Sequence, residues 1–285
     1  MRKMGRKETT ITDNIDRFTQ IAKLIKDIND PEQFKEGLAN VKWANSTKQT
    51  TATSYTVYLH TIGKTWYPPK YIRQEKIYFI PTEAEIDALV NSSRVLAPLL
   101  QTLKETGMRI GEAYHVEWKD IDIEHRTISV NHPEKGSLPR ILPISQKCVD
   151  MIKTIPKEAP RPFARNVKHQ KGLMVTFQQA RERTAKRLAN PRFKQITFHT
   201  FRHWKATTDY YKNRDERMIR HVLGHRTATM TDRYIHIVET LYHDDSGEWT
   251  CKVAHNEKEA TELIEQGFTY VNNMGDTTAL YRKRK

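Results

Sequence analysis

The chain has 285 residues, with 48 Lys/Arg against 34 Asp/Glu and a formal net charge of +14. That length holds two modest domains. The positive charge fits a folded protein lying along a polyanion, nucleic acid first, the plainer alternative being a basic surface with no specific partner. Two cysteines, Cys148 and Cys251, argue against a disulfide framework or a thiolate metal cluster and suit a reducing cytoplasm. No apolar run approaches bilayer length, and the Arg/Lys-rich start lacks the apolar core of a signal peptide.

Residues 1–80 carry 14 Lys/Arg against 8 Asp/Glu, a net of +6. Ile15, Phe18, Ile21, Ala22, Ile25 and Ile28 recur at helical spacing and predict a helix over about 13–28, with a short second one over 31–39. A third segment, from Thr47 to about Ile62, mixes Thr, Ser and Lys with Tyr55, Tyr58 and Leu59. It reads as a DNA-facing helix, or as a weak helix with a solvated side. Between Gly63 and Pro81 a Pro pair and the loss of any period indicate an extended linker.

Thr82 with Glu85 forms a capping box that announces a helix over about 83–92 and opens a second domain. A helix over 95–106 follows, apolar through Leu96, Leu99, Leu100 and Leu103 and stopped at Thr106-Gly107. Arg109 then stands in the first turn of a new helix, where the dipole gives a cation no help, so an anion to be shared explains it better. Glu112, three residues on, can brace its guanidinium. Strands over 127–130 and 139–144 make a hairpin with Lys135 near its tip beside Gly136. A helix over 146–154, a Pro/Arg-rich loop over 155–170 and a basic helix over 172–188 come next.

The richest stretch runs from His199 to Tyr234. It sets His199 just before a helix and Arg202 in its first turn, three residues apart, so both can converge on one oxyanion such as a phosphate. A Leu223-Gly224-His225 turn follows, with Tyr234 nine residues beyond it. The i, i+4 pairs His199/His203 and His221/His225 could ligate zinc, but no HExxH pattern or nearby Cys or Asp completes a site. Tyr210, Tyr211 and Tyr242 are competing candidates for a reactive tyrosine. From Ser246 the chain changes character: a strand over 248–254, a helix over 256–266 stopped at Gly267, and a hairpin turning at Asn272 to Asp276. Residues 248–285 carry six Lys/Arg and six Asp/Glu, so this tail is charge-balanced.

Taken in order, TGMRIGEA, EKGSLPRILPI, HTFRH, LGH and the tyrosine nine residues on resemble the catalytic domain of the tyrosine recombinases, or phage-type integrases. The resemblance covers about 80–240, and the tail looks like those of some archaeal integrases. It implies a mainly α fold with a small β-hairpin or sheet (α+β), in four parts: a helical DNA clamp (1–65), a linker (66–80), the catalytic domain (81–245) and an α/β tail (246–285).

The family's positions carry over as Arg109, Lys135, His199, Arg202, His225 and the nucleophile Tyr234, with Glu112 supporting. Tyr234 would form a 3′-phosphotyrosine that conserves the bond for religation, and His199 is the best candidate to take its proton. Arg109 and Arg202 would stabilise the pentacoordinate phosphorane, His225 would add a hydrogen bond, and Lys135 would protonate the leaving 5′ oxygen. No cofactor or metal is required.

The expected partners are double-stranded DNA bearing specific sites and further copies of the chain in a tetrameric synapse, with no membrane, in a cytoplasmic, nucleoid-associated setting. The competing readings are a type IB topoisomerase-like relaxing enzyme and a catalytically silent DNA-binding regulator of the same fold.

Overall fold

The structure is a computed structural model describing residues 5, 8–72, 78–164, 167, 169–241, 249–275 and 278–284. The chain forms two compact units, Met1–Ile77 and Tyr78–Lys285. Tyr242 and the start of the tail at Ser246 lie outside the described residues, as do Asp276 and residues 73–77 of the linker.

In the first unit, α1 (Glu8–Ala22) presents Phe18 and Ile21 to α2 (Pro31–Asn40) and α3 (Asn45–Thr61). The expected helix over 13–28 is displaced: it starts earlier, leaves Ile15 exposed and ends at Ala22. Beyond it the backbone N–H groups of Lys26 and Asp27 both donate to Gln33 Oε1, each at 3.0 Å, which turns the chain into α2. Asp30 caps α2 by accepting from Glu32 N and Gln33 N, with Pro31 at the first helical position. The Phe34 ring stacks on Tyr55, centroids 3.5 Å apart, and the Tyr55 hydroxyl donates to the Ile28 carbonyl. The segment after α3 is not a free spacer. Trp66 donates from Nε1 to Thr56 Oγ1 at 2.9 Å, and Tyr71 N donates to Gln49 Oε1 at 2.8 Å.

The second unit opens on the expected capping box. Thr82 N donates to Glu85 Oε2 and Glu85 N to Thr82 Oγ1, starting α4 (Glu83–Val90). Helix α5 (Ala97–Thr106) ends at Gly107, whose φ of +61° is the left-handed turn the sequence placed there. Then come α6 (Ile110–His115) and an antiparallel sheet of β1 (Ile121–Asp122), β2 (Thr127–Val130) and β3 (Arg140–Pro143) in that order. The strand β1 was not anticipated, since two residues show no period.

Helices α7 (Gln146–Lys153), α8 (Gln170–Arg187), α9 (Phe198–Asn213), α10 (Glu216–Leu223) and α11 (Thr229–Leu241) follow. Leu99, Leu100, Leu103, Ile128, Leu142, Phe177 and Phe201 are buried in one cluster, so α5, the sheet, α8 and α9 share a core. The tail is β4 (Trp249–Ala254), α12 (Glu257–Glu265), β5 (Thr269–Gly275) and β6 (Thr278–Arg284), with β6 central in its sheet. Ala254, Leu263, Phe268 and Tyr281 form a small core of the tail's own residues. The unit is thus mainly helical with small antiparallel sheets.

Candidate active site

Two positions differ from the sequence reading at the helix starts. Arg109 is the N-cap of α6 and not inside its first turn, and His199 lies within the first turn of α9, because Thr197 is that helix's N-cap. Thr197 and Thr200 exchange backbone and hydroxyl bonds in a capping box, fixing where α9 begins.

Arg109 is held from several sides. Its backbone N–H donates to Glu112 Oε2 at 2.9 Å, and Nη1 donates to Glu112 Oε1 at 3.1 Å and to the hydroxyl of Ser137. Its Nε is buried with no acceptor among the described residues, a donor that calls for an explanation. Glu112 is wholly buried and also receives Arg140 Nη2 at 2.7 Å. Burial alone would raise its carboxyl, but the hydrogen bond and charge of Arg140, the Arg109 amide and the charge of Arg202 hold it below the usual carboxylate range.

Arg140 sits at a core-facing position of β3 and donates from Nε to the Val222 carbonyl at 2.8 Å. Leu138 N donates to the Gly224 carbonyl, and Arg226 Nε donates to the Gly136 carbonyl. The hairpin that carries Lys135 is therefore stitched to the Leu223-Gly224-His225 turn. Gly224 has φ +66°, and a Cβ there would meet Arg140 Nη1 at 2.9 Å and the Leu138 carbonyl at 3.1 Å. Lys135 is exposed at the hairpin tip with φ +52°, next to Gly136 at +75°.

Arg202 is 1% exposed. It donates from Nη1 to the Gly107 carbonyl at 2.9 Å and from Nη2 to the Leu223 carbonyl at 2.7 Å, pinning the ends of α5 and α10. Burial, then the charge of Arg109, lowers its pKa to about 10, although Tyr234 and Glu112 pull the other way. His225 is buried, with Nδ1 3.0 Å from Thr231 Oγ1 and its ring parallel to that of Tyr234 at 6.4 Å.

Tyr234, on α11, is 3% exposed among Ala206, Ile219 and Leu223. Its hydroxyl lies 3.1 Å from Nδ1 of His203, a residue the sequence reading weighed only as half of a metal pair. Tyr210 and Tyr211 lie in α9, as their positions before the turn implied.

A groove of about 600 Å³ gathers Arg109, Lys135 and His199, with Glu134, Gln170, Gln178 and Arg181 around an apolar floor of Ile110, Met174, Phe177 and Phe198. Arg202, His225 and Tyr234 form a buried second group, linked to the first through Arg140, which binds both Glu112 and the Val222 carbonyl just before the His225 turn. Among the described residues no three or more His, Cys, Asp or Glu side chains gather to hold a metal. Nor is any helix among them long and apolar enough to cross a membrane.

The profile of the phage integrase family matches residues 72–240. The chain belongs to that family. Tyrosine recombinase XerD of Yersinia pestis is 27% identical over 175 residues, 55% of this chain and 56% of that one. Tyrosine recombinase XerC of Pediococcus pentosaceus is 26% identical over 150 residues, 50% of this chain and 49% of that one. The chain thus spans about half the length of these relatives.

Among solved structures, the Tn1549 transposon integrase in complex with transposon right end DNA superposes with TM-score 0.66 at 16% identity, covering 93% of this chain and 96% of that one. A lambda integrase dimer bound to a core site gives 0.58 at 17% identity, covering 86% and 92%. At such identities the likeness is one of fold, and this chain has the mainly helical fold with small sheets that the resemblance implied.

Proposed function

We propose that this integrase breaks and rejoins DNA strands at specific sites by transesterification, with Tyr234 as the nucleophile and a 3′-phosphotyrosine as the intermediate. The observation that carries the reading is an excess of buried positive charge. Three buried guanidinium groups, Arg109, Arg140 and Arg202, surround one buried carboxylate, Glu112. An unbalanced charge of that kind is unfavourable in a desolvated site unless an anion joins it. Arg109 Nε is a buried donor with no acceptor among the described residues, and the Tyr234 hydroxyl is close enough to act on Arg202. A phosphodiester meets all three conditions, and its pentacoordinate transition state, richer in negative charge, meets them better.

The roles follow from position. Arg109 and Arg202 bind the nonbridging oxygens, and His225, on the turn beside Arg202, adds a hydrogen bond. His199, in the first turn of α9 on the groove, contacts the phosphate where helix amides favour an anion. Lys135, exposed on the hairpin tip and lining the same groove, protonates the departing 5′ oxygen. Glu112 braces Arg109. Because Tyr234 lies against His203 and His225 of its own chain, attack within one protomer is the simplest path.

The net charge of +14 supports duplex DNA as the partner, as do the DNA complexes named for the similar recombinases. A synapse of four protomers on two duplexes is the assembly that strand exchange between two sites requires. The test is a nicked suicide duplex: the wild-type chain should leave an SDS-resistant protein–DNA adduct and Tyr234→Phe none. Adduct formation by the Phe variant would remove Tyr234 from this role.

A further inference from the structure

His203 has no part in the roles assigned above, yet its side chain lies within hydrogen-bond distance of the reacting atom. Its Nδ1 lies 3.1 Å from the Tyr234 hydroxyl, and both residues are buried, at 7% and 3% exposure. Its plane is set from two further sides. The Tyr78 ring stacks on it with centroids 3.9 Å apart and planes within 16°, and the His199 ring meets it edge-on at 4.6 Å. A packed imidazole on a helix, one residue past Arg202, is a fixed group pointed at a fixed oxygen.

We infer that His203 is a catalytic residue, the base that takes the Tyr234 proton through Nδ1 as the phenol attacks phosphorus. This rests on the strand-transfer reading proposed above. In the balanced step the Tyr234 O–H bond breaks and its proton goes to Nδ1. The phenolic oxygen bonds to phosphorus, and the P–O5′ bond breaks with its electron pair on the 5′ oxygen, which takes a proton from Lys135. Religation runs the same transfers backwards, His203 returning its proton to the phenolic oxygen.

The step requires His203 to be neutral beforehand, with its proton on Nε2 and Nδ1 open as acceptor. Among the described residues, the charged and titratable groups near it are Tyr78 from the segment before α4, His199 and Arg202 on its own helix, and Tyr234 from α11. The imidazolium that forms lies against the Tyr78 ring face, which attracts a cation. The nascent phenolate is attracted by Arg202. His199, by contrast, is exposed on the groove, a place from which it serves the phosphate.

The test is single-turnover adduct formation on the nicked suicide duplex, followed from pH 5.5 to 9.5 for the wild type, His203→Gln, His203→Ala and Tyr78→Leu. The wild-type rate should rise through a step in the imidazole range and level off. In His203→Gln it should fall about 10²-fold at neutral pH, lose the step and climb toward the range where a phenol ionises, with DNA affinity unchanged. Free imidazole should restore part of the His203→Ala rate. Tyr78→Leu, which keeps the base and removes the face that stabilises its cation, should move the step to lower pH.

A His203→Gln rate and step equal to wild type would overturn the assignment while leaving Tyr234 as nucleophile. Faster cleavage by His203→Ala would overturn it too, making the contact a restraint on the tyrosine. An unmoved step in Tyr78→Leu counts against it even if the His203 variants fail to fold. No adduct from the wild type at any pH would overturn the strand-transfer reading itself, and this assignment with it.

Discussion

Arg140 Nη2 and Glu112 Oε2 are 2.7 Å apart with both side chains withdrawn from solvent, and this pair joins the lysine-bearing hairpin to the helix that starts at Arg109. Because Arg140 also holds the Val222 carbonyl, one guanidinium sets the relation between hairpin, α6 and the turn of His225. Arg140→Met should destabilise the chain by about 3 kcal/mol, since it leaves a buried carboxylate short of a partner. Urea unfolding checks this. A loss under about 1 kcal/mol would show that the site relaxes around the missing group.

The same carboxylate makes a pH prediction. A depressed carboxyl contributes stability that is fully present above its unfolded value and is lost as pH falls through its folded one. The stability gap between wild type and Glu112→Gln should be full at neutral pH and narrow below about pH 4.3. Unfolding midpoints measured across the acid range decide it. A gap that widens on acidification contradicts the assigned direction.

Gly224 tests the backbone of the histidine turn. Ala there is strained at φ +66° and brings a Cβ within 2.9 Å of Arg140 Nη1. Gly224→Ala should cost about 1–3 kcal/mol and reduce cleavage, because Arg140 and Leu138 must move and Lys135 moves with the hairpin. A variant with wild-type melting temperature and rate would show the turn to be more pliant than its contacts suggest.

Much of the fold could be read from local pattern, and the residues missed share a cause. The Thr82 capping box, the Gly107 stop, the first hairpin and the tail helix follow from spacings within one element and appear where expected, whereas the tail hairpin, expected to turn from Asn272, keeps Asn272 and Asn273 paired within β5, which runs to Gly275. The sequence reading gives Arg140 no role, although its position shares the buried face of the strand with Leu142. A charge at an inward position of a strand is the signal that could have found it. His203 gave less warning, because its partner lies 31 residues away across two helix ends and no period links them. The error in α1 is of the same kind: Gln33, in the next helix, decides where the chain turns.

Lys135→Ala should slow cleavage of an ordinary 5′-oxygen leaving group and be largely rescued by a 5′-bridging phosphorothiolate, since a thiolate leaves without a proton. The ratio of the two rates, variant against wild type, is the readout. Equal defects on both substrates would take Lys135 out of the general-acid role.

Removing the tail after Asp245 should leave binding to a single site measurable while weakening synapsis. Its four-residue core is its own, whereas Val253, Ile264 and Tyr270 remain exposed. Recombination at full rate by the shortened chain would show that these side chains have no partner in the assembly.

The central claim is that Tyr234 becomes covalently joined to DNA. The most direct measurement is to trap the adduct on a nicked suicide duplex, digest it with trypsin and nuclease, and locate the remaining nucleotide by mass spectrometry. The tryptic peptide that begins at Tyr234 also contains Tyr242, so fragmentation must separate the two. The expected result is a 3′-phosphate linkage on the first residue of that peptide. A nucleotide on Tyr242, on Tyr210 or on any residue other than Tyr234 would contradict the account.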